Sequence, residues 1–232
     1  MASDQSTVER WDCLELAFEG PSAGNPFLDV ELSATFVHDG VERTAGGFYD
    51  GEGVYRVRFS PDRAGAWTWR TRSNVEGLDG REGGFECTPA SAGNRGPVTI
   101  GPHRRFLYAD GTPYLCLGTT SYGWAHQTPE LRGQTLRTLA DSPFDKLRML
   151  VLPKHFEYCE REPSCYPFPV IRRGDVSFKG MLGPYRGSAW TFDFTRFEPA
   201  YFQNIDRCVR ELLQLGVEAD VGDVQHRARA ER

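Results

Sequence analysis

Five residues have types suited to gripping a hydroxyl-rich ring. Tyr122, Trp124 and His126 alternate within the run Gly118–Gln127, and Lys154 and His155 follow the apolar stretch Met149–Leu152. Aromatic faces stack on apolar ring surfaces, while hydroxyl, imidazole and ammonium tips bond to hydroxyl groups. Four of them have a plainer reading: Trp124 as a cap over packed elements, His126 as a hydrogen-bond partner of a neighbouring loop, Lys154 and His155 as loop residues. Trp67 and Trp69 share one side of an alternating strand and are read as core, since large aromatics dominate small β interiors. Glu157, Glu160 and Glu162 sit on a loop and are read as solvated rather than catalytic. No His, Cys, Asp or Glu grouping has metal-ligand spacing, so neither a metal nor a cofactor is expected.

The elements that position these residues divide the chain. From Val8 to about Pro89 the pattern is β throughout. Leu14, Leu16 and Phe18 alternate, as do Leu28, Val30, Leu32, Ala34 and Phe36. Short runs follow at Thr44–Tyr49, Val54–Ser60 and Ala66–Ser73, with His38-Asp39-Gly40 as a hairpin turn. Gly20–Pro26 is a turn-rich connector. No helical period occurs in this half, which predicts a β-sandwich. Ser91–Pro97 is rich in glycine and proline and marks a boundary.

In the second half, Arg104–Ala109 and Pro113–Thr120 read as strands around the Asp110-Gly111 turn, and Lys146–Leu152 as another. Pro129–Ser142 reads as a helix with Thr128 as N-cap, Pro129 at the first helical position and Leu131, Leu136 and Leu139 toward one face. Pro199–Leu215 reads as a second helix, with Phe202, Ile205, Val209, Leu212 and Leu213 at helical spacing and Gly216 closing it. Leu215–Asp220 runs toward a third strand. The predicted organisation is a sandwich over 8–90, a linker over 91–103, a partial (β/α) unit over 104–220 and an atypical tail over 221–232.

Composition excludes some classes. The chain has 232 residues, 27 basic and 32 acidic, for a net charge of −5. With no dominant basic patch, a nucleic-acid partner is not expected. The start has no charged region followed by an apolar one, and no window approaches the roughly 18 apolar residues of a membrane span. The expected location is cytoplasmic, with no membrane partner. The six cysteines lack zinc-like spacing and are read as reduced thiols, mostly small core residues, with a Cys159–Cys165 bridge as the disfavoured alternative.

Two sets of runs resemble a known family. Asn25–Phe36, Gly47–Gly51 and Tyr55–Pro61 are similar to the fibronectin-III/immunoglobulin-like module of uncharacterised function that precedes certain glycosidase barrels. Phe106–Pro113, Gly118–Gln127, Ser142–Met149 and Pro153–His155 resemble the barrel that follows it in glycoside hydrolases related to the apiosidase-like and endoglucanase-like groups. The resemblance implies an immunoglobulin-like β-sandwich followed by the first two to three βα units of an incomplete TIM barrel, which when whole takes about 250 residues. It implies carbohydrate, as oligo- or polysaccharide, as the partner. It places Tyr122, Trp124, His126, Lys154 and His155 along the substrate-binding rim.

The resemblance also implies an acid/base on an Asn-Glu pair and a nucleophile later still. That dipeptide does not occur here, and the apolar pattern ends after Asp220. The expectation is a C-terminally truncated glycosidase fragment with no catalytic residue of its own and no activity alone. The alternative is a non-catalytic β module that binds carbohydrate or protein. The sugar, the linkage and the oligomeric state are left open.

Overall fold

The computed structural model describes residues 7–151, 164–172 and 191–222. It divides into two compact units, Met1–Leu115 and Cys116–Arg232.

The first unit is built on β1 (Thr7–Glu9), β2 (Leu14–Glu19), a one-turn helix α1 (Pro26–Asp29), β3 (Leu32–His38), β4 (Val41–Gly51), β5 (Val54–Phe59), β6 (Gly65–Ser73) and β7 (Glu82–Thr88). These strands form a single sheet in the order β1-β7-β6-β3-β4-β5-β2. It is mixed, because β1 joins β7 in parallel while every other pairing is antiparallel. The expected pair of stacked immunoglobulin-like sheets is therefore corrected to one seven-stranded sheet nearly closed on itself. The physical reason lies in β4. Its first half pairs with β3, from Val41↔His38 to Gly46↔Ser33, and its second half pairs with β5, beginning at Gly47↔Val57. One long strand thus belongs to both halves of the sheet. At the changeover a side chain on Gly47 would place its Cβ 2.7 Å from Leu32, so only glycine lets β4 pass so close to the core.

Alternation fills the interior as the sequence predicts. Leu14, Leu16 and Phe18 of β2 are buried with Leu32, Ala34 and Phe36 of β3, Tyr55 and Val57 of β5, and Trp67 and Trp69 of β6. Both tryptophans are core. Trp67 stacks 6.2 Å from Phe85 and donates its indole N–H to the Arg63 carbonyl at 2.9 Å; Phe18 meets Trp69 edge-on at 5.8 Å. A buried indole needs such an acceptor. The buried Thr71 hydroxyl likewise donates to the Leu78 carbonyl at 2.6 Å. The β3–β4 turn has two central residues, Asp39 at φ 48° and Gly40 at φ 74°, as a twisted hairpin requires. The strand expected from Leu28 starts only at Leu32. Pro26 opens α1, whose turn closes through Asp29 N–H to the Asn25 carbonyl, and Leu28 is left exposed.

The glycine- and proline-rich stretch after β7 is strapped down. The Glu9 carboxylate accepts from the Ser91 N–H and hydroxyl, which holds it below its ordinary range, and Asn94 donates to the Arg10 carbonyl at 2.9 Å. Gly96, at φ 74°, lies against the Trp11 indole. β8 (Val98–Ile100) and β9 (Phe106–Tyr108) then form a hairpin.

The second unit holds β10 (Gly118–Thr120), α2 (Pro129–Ala140), β11 (Lys146–Leu150), β12 (Val170–Arg172), β13 (Thr191–Phe192), α3 (Pro199–Gln214) and β14 (Glu218–Gly222). β10, β11 and β14 make a three-stranded parallel sheet, and β12 and β13 an antiparallel pair. The described residues show no βα repeat of a TIM barrel, because the antiparallel pair interrupts the second crossover before α3. The chain is mostly β, and that expectation is corrected too. Pro113–Leu117 is not strand, and Leu115 is 83% exposed. The helices match their expected spans closely: Thr128 Oγ1 accepts from the Leu131 N–H at 3.2 Å, and Gly216 at φ 71° ends α3. Ile205, Cys208 and Leu212 of α3 pack with Leu139, Leu147 and Met149. Cys87 and Cys208 are buried, whereas Cys13 and Cys116 are exposed thiols; Cys159 is outside the described residues.

Gly83 lies across from Trp69, and a Cβ there would come within 2.4 Å of the indole. Gly83→Ala overpacks this contact and is expected to cost about 1–3 kcal/mol. Urea unfolding monitored by tryptophan fluorescence measures it; an unchanged midpoint contradicts the packing described.

Candidate functional site

The chain leaves β10 at Thr120 and crosses to β11 through Ser121, whose N–H bonds the Arg148 carbonyl at 2.9 Å. Tyr122 follows, and its carbonyl accepts from Leu150 N–H at 3.0 Å. A tight 3-10 turn over Trp124–His126 then leads to the cap of α2. A short loop with two such anchors, closed by that turn, fixes where its side chains go.

The structure describes three of the five predicted residues and places them differently. Tyr122 is 39% exposed at the strand ends. Trp124 is 1% exposed and donates its indole N–H to the Arg132 carbonyl at 3.3 Å, so its ring supports the loop from beneath. His126 is half-buried, with Nε2 3.1 Å from the Val151 carbonyl and 3.3 Å from the Tyr201 hydroxyl. Lys154 and His155 lie outside the described residues, as do Glu157, Glu160 and Glu162.

His126 is the centre of a node that sequence reasoning missed. Its imidazole stacks on Tyr201, with centroids 5.4 Å apart and planes 17° from parallel, and the Tyr201 hydroxyl also donates to the Val151 carbonyl. Because that carbonyl can only accept, His126 Nε2 bears a proton and donates. Burial pushes the His126 pKa below its ordinary value of 6.5; the Val151 and Leu150 carbonyls pull it back up, and Arg132 adds a smaller push downward. The ring is thus held neutral, as the Nε2–H tautomer.

Beside it, Arg132 is buried on the inner side of α2. It donates to Asn204 Oδ1 at 3.2 Å and to Glu211 Oε2 at 2.7 Å, and its guanidinium lies 5.6 Å from the Trp124 ring centroid. Its Nε is buried with no hydrogen-bond partner among the described residues. Asn204 in turn donates to the Ala125 carbonyl at 2.9 Å, tying α3 to the turn. The available signal was a cation in an apolar stripe: Arg132, Leu136 and Leu139 fall four and three apart on one helix face. Tyr201, in the first turn of α3, gave no comparable signal.

Three carboxylates of this unit are held against cations on neighbouring elements. Glu218 meets Lys146 at 3.1 Å, Asp220 meets Arg148 at 2.8 Å, and Glu211 holds Arg132. A cavity of about 360 Å³ opens between β10 and α2, lined by Thr119, Ser121, Leu131, Gln134, Thr138 and Phe144 among others. Tyr122, Trp124 and His126 do not line it.

Residues 7–74 match a family model described as "Domain of unknown function (DUF5060)". The chain is similar in structure to a "putative glycoside hydrolase" from Bacteroides vulgatus ATCC 8482, with 40% identity and a TM-score of 0.84 over 94% of this chain. The chain spans 41% of that protein's length. Two weaker likenesses carry no argument. One is to the Lin-41 filamin domain, at 15% identity and TM-score 0.29, over 37% of this chain and 86% of that one. The other is to a family 39 glycoside hydrolase from Bacteroides cellulosilyticus WH2, at 10% identity and TM-score 0.26, over 96% of this chain and 34% of that one. No curated protein matches the chain.

Two outcomes follow from the buried node. Glu211→Ala leaves the Arg132 guanidinium buried with only Asn204 for a side-chain partner, and is expected to cost about 2 kcal/mol in denaturant unfolding. Above about pH 6.5 His126 is neutral in the folded and the unfolded chain alike. Below it the unfolded chain takes up a proton that the folded chain resists, so stability falls as pH drops. His126→Gln keeps an N–H for Val151 but does not titrate. Thermal unfolding from pH 7.5 to 5 is expected to show a shallower loss for this variant than for the parent.

Proposed function

We propose that the chain is a carbohydrate-recognising portion of a glycoside hydrolase, with Tyr122 and His126, joined by Lys154 and His155, on the rim that meets the sugar, and Trp124 supporting that rim from below. The observation that carries this reading is the 40% identity to the Bacteroides vulgatus protein across 94% of this chain. The geometry of Tyr122 supports it: an exposed phenol held at the strand ends by a backbone anchor presents a ring for stacking at low entropic cost. The neutral, fixed His126 beside it is a hydrogen-bonding group rather than a charge.

We read this chain by itself as non-hydrolytic. Glycoside hydrolysis needs two carboxylates about 5–10 Å apart, one of them kept protonated. Glu211, Glu218 and Asp220 are each engaged in an ion pair, with Arg132, Lys146 and Arg148 respectively.

The test is incubation of the purified chain with a panel of aryl glycosides and plant cell-wall oligosaccharides, alongside titration with the same oligosaccharides. The expected result is no released aglycone, with weak binding that Tyr122→Ala reduces at least fivefold. Steady turnover removes the non-hydrolytic reading. Binding indifferent to Tyr122 removes the rim.

A further inference from the structure

On the outer face of the first unit, four charged residues and one aromatic are held in an arrangement that the packing of the sheet does not require. Phe48 of β4, Arg56 and Arg58 of β5 and Glu15 of β2 point away from the core, since the intervening Tyr49, Val57 and Leu16 point into it. Phe48 is directly across from Arg56, and Arg56 from Ala17. The Arg56 guanidinium is clamped on both sides: Nε donates to Asp50 Oδ2 and Nη1 to Glu15 Oε1, each at 2.5 Å. The other Glu15 oxygen takes the Arg58 Nε at 2.8 Å, and Arg58 lies over one face of the Phe48 ring, 5.0 Å from its centroid. Phe48 nevertheless stays 39% exposed in the middle of the sheet.

We propose that this face is a second carbohydrate-binding site, taking a neutral pyranose chain across β4, β5 and β2, on the Phe48 ring and the Arg56 guanidinium. The inference rests on the carbohydrate reading above and adds a site remote in sequence from Tyr122. Three features select the ligand. An exposed phenyl flanked by planar polar groups matches a ring with an apolar face and a hydroxyl edge. Arg56 spends Nε and Nη1 on carboxylates, and its Nη2, with two N–H donors in a fixed plane, has no protein partner among the described residues. Arg56 and Arg58 are matched by Glu15 and Asp50, and Glu19 adds a further carboxylate at the end of β2, so the face offers oriented hydrogen bonds without a positive field to draw an acidic ligand. Beyond Arg56, Ala17 presents only a methyl group. The patch therefore stays low across two strand spacings, about 10 Å.

Affinity electrophoresis and isothermal titration of the 232-residue chain test this, with xyloglucan, mixed-linkage β-glucan and glucomannan as neutral probes and polygalacturonate as the acidic control. At least one neutral glycan is expected to bind. Phe48→Ala is expected to weaken it at least tenfold with circular dichroism and Tm unchanged, since the residue is outside the core. Arg56→Lys, which keeps the charge but loses the planar donors, is expected to weaken it several-fold, and supplies the test if Phe48→Ala does not fold. Binding by Phe48→Ala equal to the parent, or binding of polygalacturonate alone, overturns the proposal. If Tyr122→Ala abolishes binding and Phe48→Ala does not, the rim stands and this face falls. If no probe binds the parent, both fall.

Discussion

The constraint on which the first unit depends is the path of β4. Eleven residues of one strand serve two neighbours in succession, β3 up to Gly46 and β5 from Gly47 onward. Two separate sheets can slide and splay against each other; a shared strand fixes their register, because a one-residue slip on either side would turn Tyr49 outward and Phe48 inward. The aromatic interior follows from that fixed register. Phe36 stacks on Phe59 at 4.0 Å between strands that pair with opposite halves of β4, and Trp67 and Phe85 complete the cluster. The same strand sets the outer face, where Phe48 and Asp50 alternate with the partly buried, inward-facing Tyr49.

The second unit has a different kind of anchor. Its apolar contacts join α3 and α2 to the short parallel strands, but the loop after β10 is located by polar groups in a dry setting: Arg132, Asn204, His126 and Tyr201. Buried ions and amides of this kind stabilise little in net terms, because desolvation offsets much of what pairing returns. What they do well is exclude alternatives. Asn204 bonds to both Arg132 and the Ala125 carbonyl, and Arg132 spans Asn204 and Glu211, so a rotated α3 or a displaced turn would leave a buried donor unmet.

Much of this was legible in the residues. Alternation placed Leu14, Leu16, Phe18, Ala34, Phe36, Val57, Trp67 and Trp69 inside, and the caps at Thr128 and Gly216 placed both long helices to within a residue or two. What was not legible was partnership between distant strands. Alternation says which face of β4 is buried, not that its two halves answer to different neighbours, so two sheets were expected where one exists. Leu28 and Leu115 misled for the opposite reason. They continue an alternating pattern into segments that do not carry it on: Pro26 opens the one-turn α1, and beyond the single Leu107–Pro113 bridge no strand resumes until Gly118, so both residues end exposed. The site divides in the same way. Residue type identified Tyr122 and His126 as groups worth following. It did not reveal Tyr201, because a tyrosine near the start of a helix is unremarkable until the fold brings Val151 and His126 against it.

This contrast bears on how the loop after β10 functions. Of its three predicted groups, one is exposed and two are turned inward. A loop whose every aromatic faced solvent would present more surface to a ligand but would have to be ordered by that ligand, at a cost in affinity for each side chain immobilised. Here Trp124 and His126 are immobilised by the protein itself, through Arg132, Val151 and Tyr201, before any ligand arrives. Tyr122 is the most exposed of the three, on a backbone already fixed by Leu150. The outer face of the first unit follows the same logic, with Asp50 and Glu15 orienting Arg56 in advance. In both units partnered groups hold a neighbouring side chain in place: Arg132 and Tyr201 do so for Trp124 and His126, and Asp50 and Glu15 for Arg56.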